Sequence, residues 1–243
     1  MTRRILRPSK RTTAIVRDPE LLRQKREEVA PAAFDLFLTE GFHRATTRDI
    51  ARRAGISAGA VFTYFQTKEE ILVYIITREQ ERGETHLLDI LRQQIQDAAR
   101  SDADPETVLV SVFTALLRAI DQMRRFILLA YQETKSLNQP ARQALIEREK
   151  RLQAVLSEAI QYGVERGRFA PDHIELKAHS LMVLAHAWAT RHWAFAGVLD
   201  SIEDYIAFLQ PQVLAMLETH AGAAAPKAEQ RRAAANGQAA ARE

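Results

Sequence analysis

Three helix-start residues lie so close together between positions 46 and 67 that only two short helices fit between them. Thr46 precedes Asp49 by three residues, Ser57 follows a tight turn at Gly55, and Thr67 precedes a long segment of apolar periodicity. A Ser or Thr at the N-cap accepts a hydrogen bond from a free N–H group, and glycine lets the backbone turn sharply. The spacing therefore predicts short helices over 48–54 and 58–64 and a longer one from Lys68, which is the arrangement of a helix-turn-helix.

Helical signals dominate the rest of the chain as well. The sequence has nine glycines, and alternating apolar and polar runs bounded by turn residues are hard to find. An Asp-Pro start at Asp18 begins an apolar face that ends at Gly41, and Pro31 indicates either a kink or a later start. Further helices are predicted to begin after Asp104 and to cover 124–135, 139–166, 172–196 and 202–219. The predicted fold class is therefore all-α.

Charge is distributed unevenly along the chain. Residues 1–70 contain 14 Lys and Arg against 9 Asp and Glu, whereas residues 71–243 contain 20 against 22. A basic first third favours a polyanion as partner, although a solvated basic face would give the same numbers. The absence of cysteine excludes disulfides, Cys-ligated zinc and a Cys nucleophile. Because the sequence also lacks a secretory signal and a membrane-spanning apolar run, a cytoplasmic location without a membrane partner is expected.

The second short helix has the features of a recognition helix that enters the major groove of DNA. Its first residues are small, so its N-terminus can approach the groove closely. Helix N-termini attract phosphate, which makes the starts of all three helices candidate clamps on the DNA backbone. Arg48, Arg52 and Arg53 of the preceding helix add positive charge. The candidate DNA-contacting residues are Thr47, Arg48, Ser57, Ala58, Gly59, Ala60, Thr63, Tyr64 and Lys68.

These residues resemble the DNA-binding signature of the tetracycline-repressor (TetR) family. The pattern I-A-x-x-A-G-x-S-x-G-x-x-x-x-Y-F-x-x-K stands from Ile50 through Lys68, inside a matching stretch over 37–72. The resemblance implies that Thr47, Tyr64 and Lys68 contact the DNA backbone, and that Ala58, Gly59, Ala60 and Thr63 face the bases. Because Ala and Gly have no polar side-chain atoms, specificity is expected to depend on Thr63, thymine methyl groups, water and DNA shape.

Phe62 departs from the family pattern. Family members commonly carry Tyr at this position, and its hydroxyl often reaches a phosphate. Phe62 cannot donate a hydrogen bond, so the contact is expected to be absent or to be made by Tyr64.

The resemblance also implies a plan for the whole chain. It predicts a flexible basic arm over 1–17, a helix-turn-helix domain over 18–72, a helical ligand-binding and dimerisation domain over 73–219 and a disordered tail over 220–243. The arm would either enter the minor groove or only raise non-specific, salt-sensitive binding. The last two helices are expected to pack against their copies in a four-helix bundle, although their apolar stripes would equally suit an intramolecular core.

An effector pocket is predicted among the helices at 106–135, 141–166 and 172–196. Its apolar lining favours a lipophilic or aromatic effector, acyl chains included, although core residues would give the same pattern. The segment 186–193 places two Trp and two His on one predicted helix, which suits either a pocket or a buried dimer interface. His179 and His186 share a face without carboxylate or Cys partners, so no metal site is predicted. The candidate lining residues are Phe113, Leu117, Ile120, Met123, Phe126, Tyr131, His186 and Trp188.

Together these features predict a homodimeric transcriptional regulator that binds palindromic operator DNA and is released from it by a small-molecule effector. Activation, or regulation without an effector, is the alternative within the same class. A helical enzyme is disfavoured because no Ser/His/Asp order, Gly-rich phosphate loop or Glu-x-x-His pair is found, and no catalytic residue or cofactor is predicted. An interaction module that has lost DNA binding has Phe62 as its only support.

Overall fold

The computed structural model describes residues 18–218, except for the side chains of residues 79–85. The arm predicted over 1–17 and the tail predicted over 220–243 lie outside the described residues. Between residues 18 and 218 the chain forms helices and no strand, which confirms the all-α fold class. The helices are α1 (Pro19–Glu40), α2 (Thr47–Ala54), α3 (Ala58–Tyr64), α4 (Lys68–Ser101), α5 (Pro105–Gln122), α6 (Arg124–Glu133), α7 (Gln139–Glu165), α8 (Ile174–Thr190) and α9 (Ile202–Ala215).

The first three helices and the first two turns of α4 form a compact unit, called the head below. Helix α1 begins where the Asp18 side chain accepts hydrogen bonds from two backbone N–H groups, and it ends at Gly41, whose φ is 85°. Pro31 lies inside α1, which runs without a break from Pro19 to Glu40 and has buried residues on both sides of the proline. This buried face packs against α2, α3 and α4.

The remainder of α4 and helices α5–α9 form the second unit, called the body. Helix α7 lies at its centre and packs against α4, α5 and α8. The predicted helix starts at Asp104, Asn138 and Ser201 are confirmed, because each side chain accepts a hydrogen bond from a backbone N–H in the first turn. The larger of two hydrophobic clusters runs from the head into the body, and Ala98, Val108 and Tyr162 form the smaller one.

Helix α4 belongs to both units. It is 34 residues long, continuous from Lys68 to Ser101, and ends at Asp102 in the left-handed conformation. The domain boundary predicted between residues 72 and 73 therefore falls inside an unbroken helix rather than in a linker. In the part of the chain that the structure describes, neither α4 nor any other helix is both long and apolar enough to cross a membrane.

Three predicted helix ends are wrong. The helix predicted over 172–196 begins at Ile174 and stops at Thr190, and a short 3-10 turn over His192–Ala194 follows it. The chain folds back there because Phe195 stacks on the Trp188 ring, at 5.8 Å between ring centres. Helix α6 tightens into a 3-10 turn after Glu133, and α9 stops at Ala215 instead of continuing to residue 219.

Candidate functional site

The head contains two short helices whose ends are fixed by local hydrogen bonds. Thr46 and Asp49 form a reciprocal capping box at the start of α2, and the Ser57 hydroxyl accepts from the Ala60 N–H at the start of α3. Gly55 closes α2 in the left-handed conformation, with φ 70° and ψ 25°. A side chain at this backbone geometry is strained, so glycine is needed for the sharp turn between the helices.

The two helices pack on a small shared core that fixes the angle between them. Ile50 and Val61 are both fully buried, and Phe65 closes this core from the end of α3. Arg26 of α1 lies over the Phe65 ring at 5.0 Å and donates from its Nε to the Tyr64 carbonyl. It also forms a 2.5 Å ion pair with Glu70 of α4, so one arginine ties three helices of the head together.

Helix α3 presents a surface of small and apolar groups. Ser57, Gly59 and Phe62 are exposed, whereas Ala58, Ala60, Thr63 and Tyr64 are half-buried. The Thr63 hydroxyl donates to the Gly59 carbonyl at 3.1 Å, which occupies its proton inside the helix. The exposed fraction of Phe62 is 46%, so this aromatic ring dominates the apolar part of the surface. The sequence analysis considered only the hydroxyl that Phe62 lacks and did not predict the exposure of its ring.

The positive charges predicted beside the recognition helix have different environments. Arg48 is exposed, and Thr47 beside it is half-buried. Arg52 pairs with Asp49 at 3.0 Å on the same helix. Arg53 pairs with Asp35 of α1 at 3.6 Å.

Lys68 has a role that the sequence did not reveal. Its Nζ donates to the carbonyls of Phe42, His43 and Ala45 at 2.6, 3.3 and 2.9 Å, and it lies 4.4 Å from the centre of the Phe42 ring. A lysine ammonium has three protons, and these three carbonyls use all of them. The residue therefore holds the turn between α1 and α2, and its predicted contact with the DNA backbone stays a prediction.

The body contains two adjoining cavities beside α7. One, of about 210 Å³, lies between α6 and α7, and the other, of about 250 Å³, lies between α7 and α8. Tyr131, Ile146 and Glu149 line both of them. A narrow extension brings Ile120, Met123 and His186 together beside Glu149. These adjoining spaces, which open to the surface beside Tyr131, Ile146 and Val183, are called the inner cavity below.

Polar side chains are concentrated where these spaces meet. Nδ1 of His186 lies 2.9 Å from the Tyr131 hydroxyl and 3.5 Å from Oε2 of Glu149. Burial, together with the charge of Arg148, lowers the pKa of His186 to about 4, so the imidazole is neutral at pH 7. Burial raises the pKa of the Glu149 carboxyl, and it also raises the pKa of Tyr131. The cluster can therefore offer hydrogen bonds to the polar part of an otherwise apolar ligand.

Arg148 completes this cluster as a buried cation. The exposed fraction of the residue is 4%. Its Nη2 lies 3.6 Å from Sδ of Met123, and its guanidinium carbon lies 5.7 Å from the centre of the Phe126 ring. Sequence reasoning missed both Arg148 and Glu149, because the run over 147–151 has the charge pattern of a solvated helix face.

The structure brings together five of the eight predicted lining residues. Ile120, Met123, Phe126, Tyr131 and His186 line the inner cavity. Phe113 and Leu117 are buried in the core and lie outside its walls.

Trp188 also lies outside these walls, and it has partners within the body. Its Nε1 donates to Asp121 at 2.7 Å, and its ring stacks on Tyr205 at 5.3 Å. Trp193 was predicted on the same helix but lies beyond its end, with an exposed fraction of 73%. Among the side chains that the structure describes, which exclude those of residues 79–85, there is no cluster of three or more His, Cys, Asp or Glu suited to a metal ion.

A helix-turn-helix head joined to a helical body with an internal cavity is the arrangement of one-component helix-turn-helix regulators. Residues 31–75 match the family described as bacterial regulatory proteins, tetR family. Residues 102–194 match the tetracyclin repressor-like, C-terminal domain. The chain therefore belongs to the TetR family of transcriptional regulators.

Individual relatives agree with this assignment along most of their length. The chain is 29% identical over 193 residues to the regulator HbdR of Aromatoleum sp. (strain CIB), covering 79% of this chain and 80% of HbdR. It is 27% identical over 174 residues to the repressor KstR2 of Mycobacterium tuberculosis, covering 71% of this chain and 82% of KstR2. The solved structure of FadR from Bacillus subtilis in complex with stearoyl-CoA shares the fold, with a TM-score of 0.56 and 18% identity over 81% of this chain and 99% of FadR.

Proposed function

We propose that this protein is a cytoplasmic repressor that binds a palindromic operator as a homodimer and leaves it when a small lipophilic or aromatic effector, acyl-type compounds included, occupies the inner cavity. One observation carries the proposal: α4 begins directly after the recognition helix and continues into the body, where its Leu87 lines the narrow extension of a ligand-sized apolar cavity. The three polar residues at the cavity junction would orient the effector, and the apolar walls would hold its hydrocarbon part.

The surface of α8 and α9 supports the homodimer. Leu176, Val183 and Phe208 are large apolar residues on these two helices, with exposed fractions of 64%, 55% and 56%. Exposed apolar patches of this kind are typical of an interface, and a second copy could cover them in a four-helix arrangement. Leu181, Leu209 and Val213 of the same two helices are instead buried in the core of the subunit.

The relatives support the type of effector. KstR2 is named a ketosteroid regulator in its solved structure, which is 25% identical to this chain with a TM-score of 0.60. FadR shows that this fold can hold an acyl-CoA. The stearoyl chain of the FadR ligand is apolar, in keeping with the lining of the inner cavity here.

The first experiment selects duplexes from a random pool on the purified full chain at about 150 mM salt, where non-specific phosphate binding is weak. The expected result is an inverted repeat with half-sites about 34 Å apart, the distance between successive major grooves on one side of DNA. Replacing Gly59 with Glu on the exposed face of α3 provides the control, because a carboxylate there would repel phosphate without disturbing the core. Recovery of no motif, with and without effector candidates, would reject a DNA-binding role.

The second experiment measures whether effector and operator oppose each other. Medium-chain acyl-CoA and aromatic compounds are titrated against the selected duplex and against the free protein. If an effector weakens operator binding by some factor, the operator must weaken effector binding by the same factor. Tighter operator binding with effector would instead indicate a co-repressor or an activator, and identical effector affinity in both states would rule out the release mechanism.

A further inference from the structure

The inner cavity has a cluster of polar groups in its middle, between two largely apolar spaces. Phe126, Ile127 and Leu145 line the space between α6 and α7, and Met182 and Val183 line the space between α7 and α8. An apolar protein cavity of about 150 Å³ can hold one benzene ring. The two spaces, of about 210 and 250 Å³, therefore each have room for one ring or for a chain of similar size.

The polar groups at the junction of the two spaces are Tyr131, Glu149 and His186. Tyr131 and Glu149 line both spaces, and His186 lines the space between α7 and α8. A ligand that extends from one space into the other must pass these three side chains. Its polar group is therefore expected near its middle, with an apolar part on either side.

The junction offers one donor proton and one acceptor to such a ligand. A tyrosine hydroxyl and a neutral imidazole, such as that of His186 at pH 7, carry one donor proton each. The contact of 2.9 Å between the Tyr131 hydroxyl and Nδ1 of His186 uses one of these protons, whichever group donates. The other proton, on Nε2 or on the tyrosine oxygen, is left for the ligand. Glu149 keeps an acceptor oxygen whether its carboxyl is ionised or protonated.

Charged groups beside the junction disfavour a charged ligand. Glu149 lines every part of the inner cavity, and Arg148, which precedes it, lies near Met123 and Phe126 on one side. An anion at the junction would meet the Glu149 carboxyl, and a cation would meet the Arg148 guanidinium. Removing a charged group from water also costs far more free energy than removing a neutral one. An uncharged polar group therefore fits the junction best.

The other polar side chains of the space between α7 and α8 have partners in the chain. Nδ1 of His179 lies 3.4 Å from Oε1 of Gln153, and Nε2 of Gln153 donates to the Glu175 carbonyl at 3.2 Å. Lys150 is exposed and pairs with Glu147 at 3.3 Å. The polar group of a ligand is therefore better matched at the junction than at this outer end.

We propose that the effector is an uncharged hydroxyl compound with an apolar arm on each side of the hydroxyl. The hydroxyl accepts the proton that Tyr131 and His186 leave for it, and it donates its own proton to Glu149. One arm occupies the space between α6 and α7, and the other occupies the space between α7 and α8. This inference rests on the proposed repressor function and adds the charge, the polar group and the shape of the effector.

Four probes that share two phenyl rings around one carbon test the polar group: diphenylmethanol, benzophenone, diphenylmethane and diphenylacetate. Equilibrium dialysis against the DNA-free full chain near neutral pH measures the dissociation constant of each. Diphenylmethanol should bind about tenfold tighter than diphenylmethane, the scale of two hydrogen bonds between neutral groups. Benzophenone, which only accepts, should bind with an affinity between these two. Diphenylacetate should bind more weakly than diphenylmethanol, because it places a carboxylate beside Glu149.

Equal affinities for diphenylmethanol and diphenylmethane, tightest binding of diphenylacetate, or no binding of any probe would overturn the proposal. Operator binding separates this failure from that of the proposed function. A chain that selects an inverted repeat and is released by an acyl-CoA, but does not prefer the alcohol, keeps the repressor function and loses this inference. A chain that prefers the alcohol but selects no operator keeps the ligand site and loses the repressor function.

Tyr131→Phe tests the junction without removing the ring. The one proton left on His186 can then bond to Glu149, whose Oε2 lies 3.5 Å from Nδ1, so that donor and acceptor satisfy each other. The advantage of diphenylmethanol over diphenylmethane should fall from about tenfold to about threefold, whereas diphenylmethane binding should stay unchanged. Equal losses for both probes would indicate a merely structural role of the tyrosine hydroxyl and would overturn its part in the site.

The matched control is Thr134→Val. Thr134 also lines the space between α6 and α7, but its hydroxyl donates to the Ala130 carbonyl one turn earlier, at 2.6 Å. Its removal should leave the order of the four affinities unchanged. A Thr134 variant without preference for diphenylmethanol would move the recognised hydroxyl away from the junction and would overturn the proposal.

Discussion

The head and the body use buried space in opposite ways. In the head, Ile50, Val61 and Phe65 are packed with almost no exposure. Each helix there starts at a side chain that accepts a hydrogen bond from a backbone N–H two or three residues further on. In the body, Arg148 and His186 are buried beside spaces of about 210 and 250 Å³. Dense packing favours one conformation, whereas side chains beside a cavity lack packing contacts that a bound ligand can supply. The head is thus suited to keep its shape on DNA, and the body is suited to respond to a ligand.

The largest difference that we expect between the two regions is in the stability lost when one buried phenylalanine of each is replaced by alanine. Phe65 and Phe126 have exposed fractions of 1% and 4%, but Phe126 borders existing cavities. Phe65→Ala should lower the free energy of unfolding by about 3–5 kcal/mol, the usual range for a close-packed site. Phe126→Ala should cost roughly half as much, because part of its surface has no packing partner to lose. Urea denaturation measures both, and equal losses would remove the proposed contrast.

The next largest effect concerns Lys68, which distinguishes a structural role from a DNA contact. Lys68→Met should lower the free energy of unfolding by about 2 kcal/mol in the absence of DNA, since three carbonyls lose their donor. Lys150→Met is the control, because Lys150 is exposed and pairs only within α7 in the described contacts. Unchanged stability together with lost operator binding would instead assign Lys68 to the DNA backbone alone.

A pH effect should arise in the body at His186. Its pKa is about 4 in the folded protein, below the ordinary value of 6.5, so the unfolded chain binds more protons between these two values. Stability is therefore complete above pH 6.5 and falls as the pH is lowered towards 4. At pH 5.5 the expected loss is about 1 kcal/mol.

The groups facing His186 are Tyr131, Arg148 and Glu149, and Glu149 opposes the trend because its raised pKa favours the folded state on acidification. His186→Gln isolates the histidine. Its unfolding free energy should vary less between pH 7.5 and 5.5 than that of the wild type. A variant with the same pH dependence as the wild type would assign the effect elsewhere.

The smallest expected effect concerns the exposed ring on the recognition helix. Phe62→Tyr restores the hydroxyl that the family pattern carries and should tighten operator binding by roughly threefold, the scale of one solvent-exposed hydrogen bond. Because Phe62 is exposed, stability should not change. Weaker binding would indicate that the ring contacts an apolar group such as a thymine methyl, which the hydroxyl would disturb.

The two regions also differed in how well the sequence predicted them. The starts of α2, α3 and α4 depend on Thr46, Ser57 and Thr67, each of which bonds to a backbone group three residues away. Signals of this range are visible in a short window of sequence. The all-α class and the helix-turn-helix were predicted for this reason.

The inner cavity depends on contacts between residues far apart in sequence. Tyr131 and His186, which meet at the junction of its parts, are 55 positions apart. Arg148 is buried only because α7 is surrounded by α4, α5 and α8. The end of α8 was missed for a similar reason, since the aromatic stack on Trp188 that turns the chain is a tertiary contact.

Helix α4 also limits how this gene can change in length. Adding one residue between Lys68 and Ser101 would turn the head about 100° around the helix axis and move it about 1.5 Å along it. The ion pair between Asp35 of the head and Arg125 of the body would then be lost. The turns after Glu133 and Thr190 do not fix the rotation of the head about a helix axis. We therefore expect insertions to be tolerated in these turns and to be rare within α4. Aligned homologous sequences should show a fixed spacing between the recognition helix and the end of α4, and gaps near the turns after Glu133 and Thr190.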